Sequence, residues 1–397
     1  MAAQEHMASA DGPPKVSLFN DPKIRGLFYQ VLLIVTVVWI GYSITMNAAT
    51  NLAKQGLANG WKFLGESAGF PVTQSLMEYS AASSYQDALI VGFLNTLLVG
   101  VIGIFIATIV GFTVGIARLS KNWVVAKMAT VYVEILRNIP LLLQIFFWYF
   151  AVLRALPSPK DSIEFGAGIF MNNRGLIMPK PIWEDGAGMI GIAAIIGFIF
   201  AIGFSIWAKK QQAETGKQYP SFSIGLLAFI GLPILAAAAT SFPFTFDIPA
   251  LKGFNFKGGM KVVPEFVALL FALSIYTASF IAEIVRAGIL AVDHGQTEAA
   301  NALGLQRGPI LRLIIIPQAM RVIIPPLTSQ YLNLFKNSTL AVAIAYPDLV
   351  SVGGTILNQT GQAIEIIGLW MAIYLTVSIL TSMFMNWYNS HIAMADR

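Results

Sequence analysis

The chain has 397 residues, 56% hydrophobic and only 11% charged, and its 25 Lys and Arg against 20 Asp and Glu leave a formal net charge of +5. These proportions exclude an ordinary soluble domain, because the apolar residues come in runs longer than a buried helix needs and must face lipid or one another. The absence of cysteine excludes disulfides, thiolate metal sites and a cysteine nucleophile, and the wide spacing of His6, His294 and His391 leaves no expected metal site. In such a chain surplus Lys and Arg marks cytoplasmic loops, so no nucleic-acid partner is expected.

The first twenty-odd residues are polar and irregular and show no cleavable signal peptide, so 1–27 are read as a cytoplasmic N-terminus. The run at 28–48 has about the 20 residues that cross a bilayer and is read as a retained span, with a periplasmic loop completing 28–88. Apolar stretches follow at 90–117, 129–153, 188–208, 222–242, 264–285, 322–345 and 364–387. The expectation is an all-α membrane protein with about eight spans, since none of these runs alternates in polarity as a β-barrel strand must. With the N-terminus inside, the inner loops are the more basic set and the outer loops mix both signs, which puts both termini in the cytoplasm. The outer loops at 51–87 and 154–185 are long and contain Gly and Pro; each is either a docking surface for a soluble partner or a solvated connector.

The segment richest in information lies after the sixth span and reads GQTEAANALG over 295–304, then IIIP over 314–317. Its first part predicts a short helix that opens at Gly295. Glu298 is expected in the first turn, where a carboxylate suits the positive end of the helix dipole. Ala299, Ala300, Ala302 and Leu303 are good helix formers, and Gly304 is a natural left-handed stop. An alanine-rich face lets another backbone come close, and the segment lacks the Lys-rich polar face of a helix that lies on lipid.

Glu298, Ala299, Ala300, Gly304, Ile316 and Pro317 resemble the EAA motif of bacterial ABC-importer permeases, with Ile316 in place of the usual leucine. The strings EILRNIPLLLQ (134–144), AEIVRAGI (282–289), PQA (317–319) and KNSTL (336–340) are similar to permeases of the polar amino acid class, of the histidine and glutamine type. The long N-terminal extension and central insertion resemble the general L-amino acid branch of that class. The resemblance implies a five-helix permease core in two parts, 89–156 and 264–387, the second carrying the coupling loop 293–317. One extra span lies within 28–88 and two lie in an insertion at 157–263, and a cytoplasmic tail occupies 388–397.

It also implies a non-catalytic permease subunit of an ATP-driven importer in the bacterial inner membrane, with Gly295, Glu298, Ala299, Ala300, Gly304 and Pro317 in the ATPase-coupling element. The implied partners are an ABC ATPase dimer that binds ATP and Mg, a second, paralogous permease, a periplasmic amino-acid-binding protein and membrane lipid. No cofactor is expected in this chain, because no segment fits the phosphate-binding pattern G-x-x-x-x-G-K-[ST]: Lys217 follows Gly216 but Gln218 comes next.

Ionisable and polar residues inside apolar runs are candidates for the substrate pathway: here Glu134, Arg137, Glu283, Lys336, Asn337 and Thr339. The pairs Glu134 with Arg137 and Glu283 with Arg286 are three residues apart on one helix, which equally suits internal ion pairs. Asn95 and Thr96 suit hydrogen bonds either to substrate or, in preference, to backbone, and Pro140, Pro317, Pro325 and Pro326 predict kinks or breaks. An ion-driven secondary transporter is the alternative; it predicts inverted repeats and mid-membrane carboxylates, and no repeat is visible. A membrane-embedded enzyme would need a His or carboxylate cluster that the sequence does not supply.

Overall fold

A computed structural model describes residues 22–54 and 60–393. Most of the expected cytoplasmic N-terminus and the last four residues of the tail lie outside the described residues. Among the described residues seven helices are long and apolar enough to cross a membrane, and eight if one bent pair counts as a span.

Helix α1 spans Pro22–Lys54, and after a 3-10 turn at Gly60–Gly65 α2 spans Tyr85–Ala117. Ser84 and Asp87 start α2 with a reciprocal capping box, each side chain bonding the other's backbone N–H. The stretch expected as one span at 129–153 is two helices, α3 (Trp123–Asn138) and α4 (Leu141–Phe146, continuing as a π-helix over Phe147–Leu153), bent by 104°. Pro140 causes the break, because it cannot donate to the Leu136 carbonyl four residues back. Gln144 supplies the missing donors: its Nε2 donates to the carbonyls of Leu136 and Ile139, both at 2.9 Å.

Past a 3-10 turn at Pro159–Asp161 come β1 (Ile163–Gly166), β2 (Ile169–Asn172), β3 (Gly175–Met178) and β4 (Lys180–Trp183). Helices α5 (Ala187–Thr215) and α6 (Ser221–Ala239) follow, then β5 (Phe244–Asp247), β6 (Ala250–Lys252), β7 (Asn255–Lys257) and β8 (Met260–Val262). The spans are helical as expected, but the loops beside them carry short antiparallel sheets. Strand β8 pairs with β3 through Leu176 opposite Val262, and β5 pairs with β4. These pairings close the base of the α5–α6 hairpin. Its helices meet where Gly197 faces the backbone of Ala228 and Phe229.

Helix α7 (Pro264–Leu290) is the most buried span. Then come α8 (His294–Ala302), α9 (Arg307–Ile310), a π turn at Leu311–Ile315 and α10 (Ile316–Asn337). A 3-10 stretch at Ser338–Ile344, α11 (Leu349–Thr360) and α12 (Ala363–Ala393) complete the chain. Pro317 lies in the first turn of α10, just past the π turn, where a missing N–H costs least. Pro325 and Pro326 do not break α10, which runs on through both.

The core is set by contact between α2 and α7. A Cβ on Gly111 would lie 2.6 Å from Ile281, and one on Gly115 would lie 2.7 Å from the Ala282 carbonyl. Only glycine permits this approach, which is how membrane helices gain packing where lipid offers no hydrophobic drive. At the end away from α8, Asn95 donates to the carbonyls of Gln74 and Pro347, both at 2.9 Å. Thr96 Oγ1 accepts from the Leu349 N–H at 3.0 Å, so both side chains serve backbone groups and tie α2 to the start of α11.

Candidate coupling helix and membrane pathway

Helix α8 is a short surface element with both ends closed by its own residues. Asp293 caps its start, accepting from the Gly295 N–H at 2.7 Å. The carboxylate at the positive end of the dipole is therefore Asp293, and the expectation that Glu298 occupies the first turn is corrected: the helix begins at His294, not at Gly295. Glu298 sits one turn later, where its Oε1 lies 3.1 Å from His294 Nδ1 on the exposed face.

At the other end Gly304 takes φ +73°, its N–H donates to Asn301, and the Leu305 N–H donates to Ala300. This is a Schellman closure, in which a left-handed residue lets two N–H groups return to the last carbonyls. The π turn at Leu311–Ile315 packs against α8 and ties it to α10. Not every residue of the motif is offered to a partner. Ala300 is only 2% exposed, so its small side chain permits α8 to lie close to the rest of the chain. Glu298 and Ala299 are exposed, and Leu303 is 80% exposed at the helix end.

Near the same end of α7, Glu283 accepts from Arg286 Nη2 at 2.6 Å and from Arg118 Nη1 at the end of α2. Two guanidinium groups thus occupy its carboxylate, so Glu283 fastens α2 to α7. The second proposed internal pair does not form: no ion pair joins Glu134 to Arg137 among the described residues. Arg137 lies over the Phe280 ring at 4.9 Å, a cation–π contact, and Glu134 is exposed.

Between α7 and α10 lies a cavity of about 200 Å³ lined by Tyr276, Thr277, Phe280, Gln330, Asn333 and Asn337. Of the expected pathway residues Asn337 lines it, and Arg137 reaches its edge through Phe280. Lys336 is exposed and does not line the cavity, and Thr339 donates to the Lys336 carbonyl. Gln330 and Asn333 were not anticipated, although with Asn337 they recur at three and four residues, one polar face on an apolar helix.

These features, a closed surface helix tied to a polar-lined bundle, stand beside a family match. Residues 101–393 match the family described as "binding-protein-dependent transport system inner membrane component". The chain belongs to this family. It is therefore a multi-pass membrane component of a transport system that works with a binding protein. Among curated proteins, the general L-amino acid transport system permease protein AapQ of Rhizobium johnstonii is 54% identical, covering 96% of this chain and 95% of its own. The putative amino-acid ABC transporter permease protein YhdX of Escherichia coli is 49% identical over 96% and 97% of the two chains. BztB of Rhodobacter capsulatus, a glutamate/glutamine/aspartate/asparagine transport system permease protein, is 40% identical over 98% and 100%. No observation favours the secondary-transporter alternative.

Proposed function

We propose that this chain is the permease subunit of an ATP-driven importer that carries a broad range of L-amino acids across the bacterial inner membrane, with both termini cytoplasmic. The observation that carries this reading is near full-length similarity to AapQ, 54% identical over 96% of the chain. That similarity spans the extension and the insertion as well as the core. The proposed organisation is a permease core at 89–156 and 264–387, interrupted by the insertion at 157–263 and preceded by one added span.

In this reading α8 is the coupling element and no cofactor belongs to the chain. A separate ATPase dimer holds ATP and Mg, a paralogous permease completes the membrane unit, and a periplasmic protein delivers the amino acid. Closure of the ATPase dimer moves α8, and the π turn transmits that movement to α10 and so to the cavity it shares with α7. A ligand or nucleotide can shift such an equilibrium only through contacts that differ between the two states. Gly295, Gly304 and Pro317 shape the lever, Ala300 seats it, and Glu298 and Ala299 with Leu303 meet the ATPase. Arg137 and Asn337, with Gln330 and Asn333, form the pathway.

Affinity purification of the tagged chain from native membranes tests the reading. The expected result is recovery together with an ATPase subunit and a second permease, and with L-amino acid uptake when the assembly is placed in liposomes with its binding protein. Recovery with no ATPase subunit would contradict it.

A further inference from the structure

At the end of the molecule opposite α8, the last turn of the π-helix, the turn between β2 and β3, β8 and the start of α7 enclose a cleft of about 270 Å³. Arg154, Asn173, Arg174, Lys261 and Glu265 line it, with Thr73 from the segment before α2. A second cleft of about 260 Å³ shares Arg174 and Lys261. The three cations are exposed, and among the described residues none of them forms an ion pair, with Glu265 or with any other carboxylate.

Opposite charges that share a cleft without pairing leave both signs available. Their placement is partly fixed by one phenol. Tyr149 donates to Glu265 Oε1 at 2.7 Å, and Arg154 lies over the Tyr149 ring at 5.6 Å. Asn173 Oδ1 is buried with no hydrogen-bond partner, an acceptor that costs free energy until a donor arrives. A site built for a simple anion would not hold a carboxylate, and a site built for an amine would not hold three cations. A zwitterion matches both: its carboxylate suits Arg154, Arg174 or Lys261, and its ammonium suits Glu265 and Asn173 Oδ1.

The cleft is also in line with the cavity described above. Glu265 and Tyr276 are eleven residues apart on α7, three turns of one face, so the two sites are separated by about 16 Å along the helix. We propose that the cleft is a receiving site for a free α-amino acid, held by both of its backbone charges before it moves toward the cavity between α7 and α10. This rests on the amino-acid reading given above. The surplus of cations further favours ligands with neutral or acidic side chains over lysine and arginine.

The test is titration of the full chain in lipid nanodiscs with L-glutamine, followed by saturation-transfer NMR, with propylamine and propionate as compounds that carry only one of the two charges. Saturable glutamine binding is expected, with none for the single-charge compounds and with L-glutamate binding more tightly than L-arginine. Arg174→Gln and Lys261→Gln, both at exposed positions, are expected to weaken glutamine at least tenfold. Absence of saturable binding overturns the proposal, and so does wild-type affinity in both variants, including binding lost only in Asn333→Leu. Glutamine uptake by the assembled transporter separates the two readings. Uptake that persists unchanged in both variants overturns the receiving site and leaves import standing, whereas a wild-type assembly that imports no amino acid overturns the import reading itself.

Discussion

Arg118, at the end of α2, donates to the carboxylate of Glu283 on α7, a residue 165 positions further along the chain. The same carboxylate accepts from Arg286, so one acid holds two guanidinium groups where the two most closely packed spans converge. Replacing it leaves two partly buried cations facing each other. Glu283→Gln is expected to lower stability by about 1–3 kcal/mol, read as an earlier thermal transition of the purified chain. A double-mutant cycle with Arg118→Gln is expected to show coupling of at least about 0.5 kcal/mol. Additive effects of the two substitutions would remove the proposed link.

The contact between α2 and α7 depends on having no side chain at Gly111, where a Cβ would lie 2.6 Å from Ile281. Gly111→Val must push the two helices apart, and an expected cost of about 1–3 kcal/mol follows from overpacking. Thermal unfolding in detergent measures it. Gly188→Val on α5, where nothing lies within 4 Å of the added Cβ, serves as the control and is expected to change the transition little.

Asn333 faces the cavity between α7 and α10. Asn333→Leu keeps the branched shape of the side chain and removes the polar group, so the assembled transporter is expected to lose about tenfold or more in uptake rate while subunit recovery stays normal. A tenfold change corresponds to about 1.4 kcal/mol, within the range of one lost polar contact. Unchanged uptake would take this face of α10 out of the pathway.

Asp348 caps α11, accepting from the Ser351 N–H at 2.8 Å, while its Oδ2 is buried without a partner. Burial pushes its carboxyl from an ordinary value of 3.8 up to about 7, against the pull of the helix N–H groups. Between these values the folded chain keeps a proton that the unfolded chain loses. The contribution to stability is therefore fully present below about pH 3.8 and is lost as pH rises through about 7. Melting temperatures from pH 4.5 to 7.5 are expected to show this fall in the wild type and a smaller one in Asp348→Asn. Identical slopes would contradict it.

Much of this architecture was readable from residue order alone, because long apolar runs leave few alternatives to membrane helices. The ending of α8 at Gly304 and the pairing of Glu283 with Arg286 were likewise legible, since both are local. What was hidden was long-range. Nothing near Glu283 points to Arg118, and strands β3 and β8 are too short to stand out and pair across two intervening helices. Pro140 marked a break, yet Gln144 as its repair emerges only from geometry. The three-residue spacing of Glu134 and Arg137 permitted an ion pair without imposing one, and the Phe280 ring took the guanidinium instead. Ala300 illustrates the same limit: helical spacing gives a face, but only packing says whether that face meets a partner or the chain's own body.

The account turns on α8 being the point of contact with the ATPase, and the absence of cysteine from the chain makes a direct measurement simple. Single cysteines at Ala299, Ala300 and Leu303 are treated with a short thiol-to-amine cross-linker in native membranes. The expected result is a covalent product with an ATPase subunit from positions 299 and 303 and little or none from the buried position 300. Failure of all three to reach any second polypeptide, in membranes that still support transport, would contradict the account.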